Sequence, residues 1–440
     1  MCRGAVPAAP RAWSLSIAAL VFNRQAVAAL QHRNFRLIWI GLLFSFTGSL
    51  MQNTALLWHV SLLVAPERKG LALGFVGLAR VVPVVVFSMV SGVVADALDR
   101  RRVLIATQAI AMGVALTLGV LTFQGLTVAW PVYLLAAAGA GVGAFDLPAR
   151  QALIPTLVPR DVLPNAISLN TIMFQTASVV GPALGGIVIA ASGVAWAYVC
   201  NAVSFGFVLV ALWMMRDGSD RSRHKRDPAS EVSIAAAREG LRFVFGSPLI
   251  RSTMLLDFFA TFFSSATALL PMFAQDILHV GANGYGWLFA APAVGAFVTS
   301  VALVPLMTTL DRRGATLLWS VVVYGLATVV FGASRSFWLT FACLAVTGTA
   351  DTVSTVIRNV IRQLETPDRL RGRMTGINMV FFMGGPQLGE LEAGAVANWF
   401  GAPFSVVSGG VGCLIAAVWV AASTPLIRRY RTAPLATTPR

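Results

Sequence analysis

Apolar stretches alternate with short polar breaks along almost the whole chain. A helix needs about 20 apolar residues to cross the hydrocarbon of a bilayer. On that length the pattern predicts twelve spans, over 36–64, 71–96, 103–124, 128–147, 165–191, 194–215, 252–278, 284–309, 315–333, 337–357, 374–398 and 403–424. The longest of them predict tilt or extension beyond the bilayer. The longest break carries Asp217-Gly218-Ser219-Asp220 and separates six spans from six. The predicted organisation is an N-terminal cytoplasmic extension over 1–34, a six-helix bundle over 35–216 and a cytoplasmic linker over 217–250. A second six-helix bundle follows over 251–425, then a basic tail over 426–440. The fold class is all-α membrane protein, with twelve transmembrane helices in two pseudo-symmetric bundles.

Composition agrees with this pattern. Of 440 residues, 57% are hydrophobic and only 12% charged, where soluble domains carry about 25% charged residues. The net charge of +15 raises nucleic acid as a partner, but its distribution removes that reading. With the N-terminus in the cytoplasm, 29 of the 33 Lys and Arg residues fall in the extension, alternate loops, linker and tail. Arg68, Lys69 and Arg335 remain outside, and Arg80 lies within a span. The positive-inside rule thus predicts a multi-pass membrane protein with both termini cytoplasmic. A short apolar run, Trp13 to Phe22, followed by Ala26-Val27-Ala28, weakly resembles a signal peptide. Cleavage there would invert every later loop, so the segment is read as a short interfacial helix or an extended start site. Four scattered cysteines (Cys2, Cys200, Cys343, Cys413) form no C-x-x-C pattern, so neither a metal site nor a disulfide framework is expected. No cofactor is expected either.

The two halves repeat. Leu98-Asp99-Arg100-Arg101 recurs 212 positions later as Leu310-Asp311-Arg312-Arg313, and Gly74 and Gly286 share that offset. Arg150, Pro159, Asn170, Gly181 and Gly186 recur 208 positions later as Arg358, Pro367, Asn378, Gly389 and Gly394. A parallel six-span duplication is one of the repeat patterns of secondary transporters.

Gly92-Val93-Val94-Ala95-Asp96 precedes the first of these basic turns. Glycine, three residues, aspartate and then a basic pair resembles the signature of the major facilitator superfamily in its cytoplasmic 2–3 loop. Gly92 permits close helix approach, and Asp96 suits the positive end of a neighbouring helix. The resemblance implies a conformational latch of Gly92, Asp96, Arg100 and Arg101 against the start of the eleventh span, through Arg371 or Arg373. In the second half Val304 and Thr308 stand at the places of Gly92 and Asp96, so the latch is expected to be asymmetric. Asp146-Leu147-Pro148-Ala149-Arg150, Pro164-Asn165-Ala166 and Asn283-Gly284-Tyr285-Gly286 are similar to the branch that includes enterobactin exporters and related efflux permeases. So is Gly181-Pro182-Ala183-Leu184-Gly185-Gly186, in which Gly181, Pro182, Gly185 and Gly186 form a helix-packing motif. The resemblance covers about 33–425 and implies a monomeric, proton-driven exporter of a small amphipathic molecule, siderophore-like or drug-like. An importer or lipid-linked flippase is the alternative on the same fold.

Ionisable residues inside spans are costly and mark function. Asp257 and Asp351 are candidate proton or substrate sites in the seventh and tenth spans, as are the polar Gln52 and Asn53 in the first. Arg80 and Glu390 lie at matching depths, roughly 14 and 12 Å below the outer ends of their spans, and predict an outer gate. Glu392 is the other glutamate of that span. His59 and His279 are expected near the outer interface. Phe258, Phe259, Phe262 and Phe263 suit either a bulky substrate or lipid-facing packing. No H-E-x-x-H, G-x-S-x-G or P-loop pattern occurs, which counts against an enzyme or a built-in ATPase. A non-transporting sensor would need an appended soluble domain, and the longest non-membrane segment is only the linker.

Overall fold

A computed structural model of the chain describes residues 27–215, 234–263, 265–306, 312–367 and 370–430. Some side chains inside the described helices, among them Gly92, Asp96 and Arg373, lie outside that description. The first bundle comprises α1 (Arg33–Leu63), α2 (Lys69–Ala97), α3 (Arg100–Phe123), α4 (Trp130–Leu153), α5 (Leu163–Ser192) and α6 (Val194–Met214). The second comprises α7 (Pro248–Phe263), α8 (Gly281–Leu306), α9 (Arg313–Ala333), α10 (Phe337–Glu365), α11 (Arg371–Phe400) and α12 (Ala402–Ser423). Among the described residues eleven stretches are long and apolar enough to cross a bilayer, one for each of these helices but α11, the seventh running on from α7 to Ile277. The remaining one, α11, has the length but carries Arg371, Glu390 and Glu392.

The internal repeat of the sequence is a repeat of packing. In the first bundle α1 packs on α5 and α6, α4 on α2 and α3, and α3 on α6. In the second, α7 packs on α11 and α12, α10 on α8 and α9, and α9 on α12. Each pair has its counterpart six helices later. Gly193, at φ 91°, turns the chain between α5 and α6, and Gly401, at φ 87°, does the same between α11 and α12. A side chain rarely adopts that backbone. This glycine pair is again 208 positions apart and extends the repeat.

The bundles meet through α2 with α11 and α5 with α8. The repeated glycines make both crossings. A Cβ on Gly74 would lie 3.0 Å from the Glu390 carbonyl, and one on Gly394 would strike Gly70 and Gly74. On the other side a Cβ on Gly186 would lie 2.6 Å from the Ala282 carbonyl and 2.8 Å from Gly286 Cα. Both crossings lie toward the end where α2 and α8 begin, which is the end poor in arginine.

Several expected spans change at their ends. α4 runs to Leu153 and α10 to Glu365, so Arg150 and Arg358 are buried helical residues rather than loop charges. The seventh span is not one regular helix. After α7 it proceeds through a 3-10 turn, Ala266–Leu269, and a π turn, Phe273–Ile277. Within the 217–250 segment, a helix over Ile234–Gly246 sets Val244 against Met254 and Met374 at the basic end of the second bundle.

Candidate functional site

The arginine-poor end is closed by polar bonds between bundles. Lys69 Nζ, at the start of α2, pairs with Asp276 Oδ1 at 3.0 Å and donates to Gln275 Oε1 at 3.0 Å. Gln275 Nε2 donates to Ser61 Oγ at 2.8 Å. Both acceptors for Lys69 lie on the π turn, and such turns are frequent at functional sites. Just below, the Tyr285 hydroxyl donates to the Thr54 carbonyl at 3.0 Å, and its ring stacks on Trp58. Nearer the basic end, the bundles share a long bond from Gln175 Nε2 to Ser300 Oγ at 3.5 Å. The sequence shows Lys69 only as an external charge and gives no signal for Asp276, because the pairing joins residues 207 positions apart.

Beneath this closure five helices bring Arg80, Glu390, Tyr285, Tyr198 and His59 toward one another. Arg80 of α2 lies within Coulombic reach of Glu390, Tyr285 and Tyr198. A Cβ on Gly77, one turn outward of Arg80, would lie 2.8 Å from Glu390 Oε2, so Glu390 rather than Glu392 faces α2. The two charges remain too far apart for an ion pair: neither makes a hydrogen bond or ion pair among the described residues. His59 departs from the interfacial position expected of it. It is buried in the first bundle, with Nδ1 3.1 Å from the Tyr198 hydroxyl. His279 lies at the outer turn, its Nδ1 2.8 Å from the Gln275 carbonyl.

Asp257 and Asp351 converge on one cation. Arg358 Nη2 lies 2.8 Å from Asp257 Oδ1 and 3.6 Å from Asp351 Oδ1, and donates to Thr355 Oγ1 at 2.8 Å. The two acids differ in access: the side chain of Asp257 is 3% exposed and that of Asp351 is 50% exposed. Asp351 also borders a cavity of about 110 Å³, with Thr267, Tyr324, Thr328 and Thr347. That space accommodates water with several hydroxyl partners.

The first bundle holds the counterpart. Arg150 pairs with Asp146 one turn earlier and lies over the Phe46 ring, 4.6 Å from its centroid. Asp146 Oδ1 also accepts from Gln108 Nε2 at 2.7 Å and Thr107 Oγ1 at 3.0 Å. Gln108 and Thr107 were not among the expected residues.

Of the latch residues, Gly92, Asp96 and Arg373 lie outside the described side chains. Arg100 Nη1 donates to the Ala152 carbonyl at 3.1 Å and Arg101 Nη2 to the Met215 carbonyl at 3.4 Å. They therefore cap the ends of α4 and α6, whose last carbonyls lack helical partners. Asp99 caps α3 in the same turn, accepting from the Arg101 and Arg102 amides. Gln52 Oε1 accepts from Asn201 Nδ2 at 2.7 Å, a helix-to-helix bond, whereas Asn53 Oδ1 is buried without a donor. Gly181 and Gly185 lie against Thr47, Leu50 and Met51 of α1, and Gly186 against α8. Pro182 sits inside α5 at that crossing, its carbonyl 2.6 Å from where a Gly286 Cβ would be. The phenylalanines are packed: Phe258 meets Phe381 of α11 and Phe259 meets Trp419 of α12.

Comparison with known proteins decides what this architecture belongs to. A family profile described as transmembrane secretion effector matches residues 24–433. The chain belongs to that family. It is a transporter of the major facilitator superfamily, on the branch similar to enterobactin exporters. The enterobactin exporter EntS of Escherichia coli O1:K1 is 27% identical over 427 residues, covering 96% of this chain and 97% of that protein. That of Citrobacter koseri is 28% identical with the same coverage. A bacterial homologue of the human lysosomal transporter Spinster, solved inward-facing and unoccupied, superposes with a TM-score of 0.70 at 15% identity, covering 91% of this chain and 99% of that one. A bacterial homologue of the iron transporter ferroportin gives 0.67 at 16% identity, covering 89% and 98%. The relatives are transporters rather than enzymes, so this multi-pass membrane protein moves a small-molecule substrate.

Proposed function

We propose that this transporter exports a small amphipathic molecule, siderophore-like or drug-like, in exchange for protons. It acts as a monomer in a bacterial inner membrane, with both termini cytoplasmic. The observation that carries the reading is the closure of the two bundles at the arginine-poor end. The positive-inside distribution supports reading that end as the external one, so the outer side is the side that is shut in this arrangement. The printed activity of the relatives supplies the outward direction. Asp351 is the proton carrier, because it is exposed beside a hydratable cavity while Asp257 holds Arg358 in place. Asp96 latches the cytoplasmic end against the start of α11 in the opposite state. Comparing extracellular metabolites of cells with and without the gene tests export: a compound must disappear from the medium when the gene is removed. An unchanged medium, or a compound taken up instead, would overturn it.

In this cycle Lys69–Asp276 closes the outer gate, and Arg80 and Glu390, a layer deeper, bear on it through their charges rather than as a closed pair. Arg80→Glu and Glu390→Arg are each expected to impair transport, because each sets two like charges against one another. The double swap should recover part of the rate. Rates are compared in everted vesicles under one pH gradient; a double swap no better than the worse single change would remove this layer from the gate.

A further inference from the structure

Arg80 lies 11 residues into α2, roughly 16 Å along the helix from its outer end. A guanidinium at that depth is costly and requires partners, yet among the described residues none lies at bonding distance. The groups around it are nearly all committed elsewhere. The Tyr198 hydroxyl is bonded with His59, and the Tyr285 hydroxyl donates to the Thr54 carbonyl. Both rings are fully buried, so they wall the site without opening to a ligand. Glu390 is the opposing charge, but its carboxylate rests against Gly77, one turn outward, and does not close on the cation. Arg80 itself remains partly exposed. Among the described residues none accepts from its five N–H donors. They form a planar fork that matches a carboxylate or phenolate better than a point charge would.

We propose that Arg80 is the residue that recognises an anionic oxygen group, carboxylate or phenolate, on the transported organic molecule. Glu390 opposes it as a built-in competitor. The proposal rests on the transport reading for its meaning and narrows it: the substrate is an organic anion rather than a cation or a neutral amphiphile. An Arg80 retained only as half of a structural ion pair would be expected to close on Glu390. An Arg80 retained only for stability would show no preference among ligand charges.

The test is equilibrium dialysis of three matched probes against the full chain in nanodiscs, with empty nanodiscs as the blank. The probes are 1-naphthoate, 1-naphthamide and 1-naphthylmethylammonium. Naphthoate is expected to bind at least about tenfold tighter than the other two, the effect of one charge-assisted bidentate contact. Arg80→Gln should erase that preference, and Arg80→Lys should keep part of it. Glu390→Gln should tighten naphthoate binding while leaving the amide unchanged. Equal binding of the three probes to the wild type overturns the proposal. So does a preference that survives Arg80→Gln, or weaker naphthoate binding in Glu390→Gln. If Arg80→Gln does not fold, Arg80→Lys and Glu390→Gln still decide. Anion-selective binding with unchanged extracellular metabolites would refute export and leave the recognition standing. Export of a compound without anion selectivity would do the reverse.

Discussion

Asp257→Ala is expected to be the most destabilised single variant of the second bundle, by about 3–5 kcal/mol. Its carboxylate is the close partner of Arg358, and both side chains are almost fully enclosed. Removing the acid leaves a guanidinium buried between α7 and α10 with only the more distant Asp351 and Thr355. Breaking one side of such a pair costs more than the pair contributes, because the remaining charge stays desolvated. Thermal unfolding in detergent, followed by size-exclusion chromatography, measures the loss. Asp351→Asn should melt close to the wild type and lose proton-driven transport instead. An Asp257→Ala protein as stable as the wild type would show that Arg358 finds its stabilisation elsewhere. Replacing Asp257 and Arg358 together by leucine and methionine should recover much of the stability, since apolar replacement of a whole buried pair is often neutral or better.

The second large effect is expected at the glycine crossings. Gly186→Val places a side chain against backbone, with no flexible atoms to yield: the Ala282 carbonyl and Gly286 Cα are its nearest neighbours. Each bundle keeps its own core, so the protein should fold. What it should lose is the external closure. An overpacked contact costs about 1–3 kcal/mol, and a bias of that size shifts a two-state population roughly 5- to 150-fold. Spin labels placed across the outer end of α5 and α8 should report longer distances, and transport should fall with them. Gly394→Val should do the same at the α2–α11 crossing. If Gly186→Val transports at the wild-type rate with unchanged distances, the crossings are not the contact that sets the closed state.

The fold was legible because the information for it is local or periodic. Apolar stretches mark spans, arginines mark one end, and the repeats of Gly74 in Gly286 and of Gly186 in Gly394 mark the duplication, though not the crossings those glycines make. The site was legible only in part. Asp257, Asp351, Arg80 and Glu390 stand out because charges inside apolar stretches are rare. Arg358 did not, because seven positions from Asp351 it stands among polar residues and resembles a loop charge. Only a partner on α7, 101 positions earlier, makes it buried. His59 failed similarly: its depth was readable from the span, but its enclosure depends on Tyr198 on α6. The broken seventh span also escaped, since the π turn that presents Gln275 and Asp276 has no composition of its own.

The chain contains just two lysines, Lys69 and Lys225. Lys225 belongs to the 217–250 segment, and Lys69 is the ammonium that closes the other end. The protein thus carries a single-site chemical reporter of its own opening. An amine-acylating reagent that does not cross membranes should meet Lys69 alone from that face. The Lys69 side chain is 11% exposed and its Nζ is held by Asp276 and Gln275, so a reagent reaches it only when that contact opens. The rate of acylation, read by mass spectrometry on unmutated protein, should therefore rise with the fraction of time the outer end stands open. Asp276→Asn should raise it further.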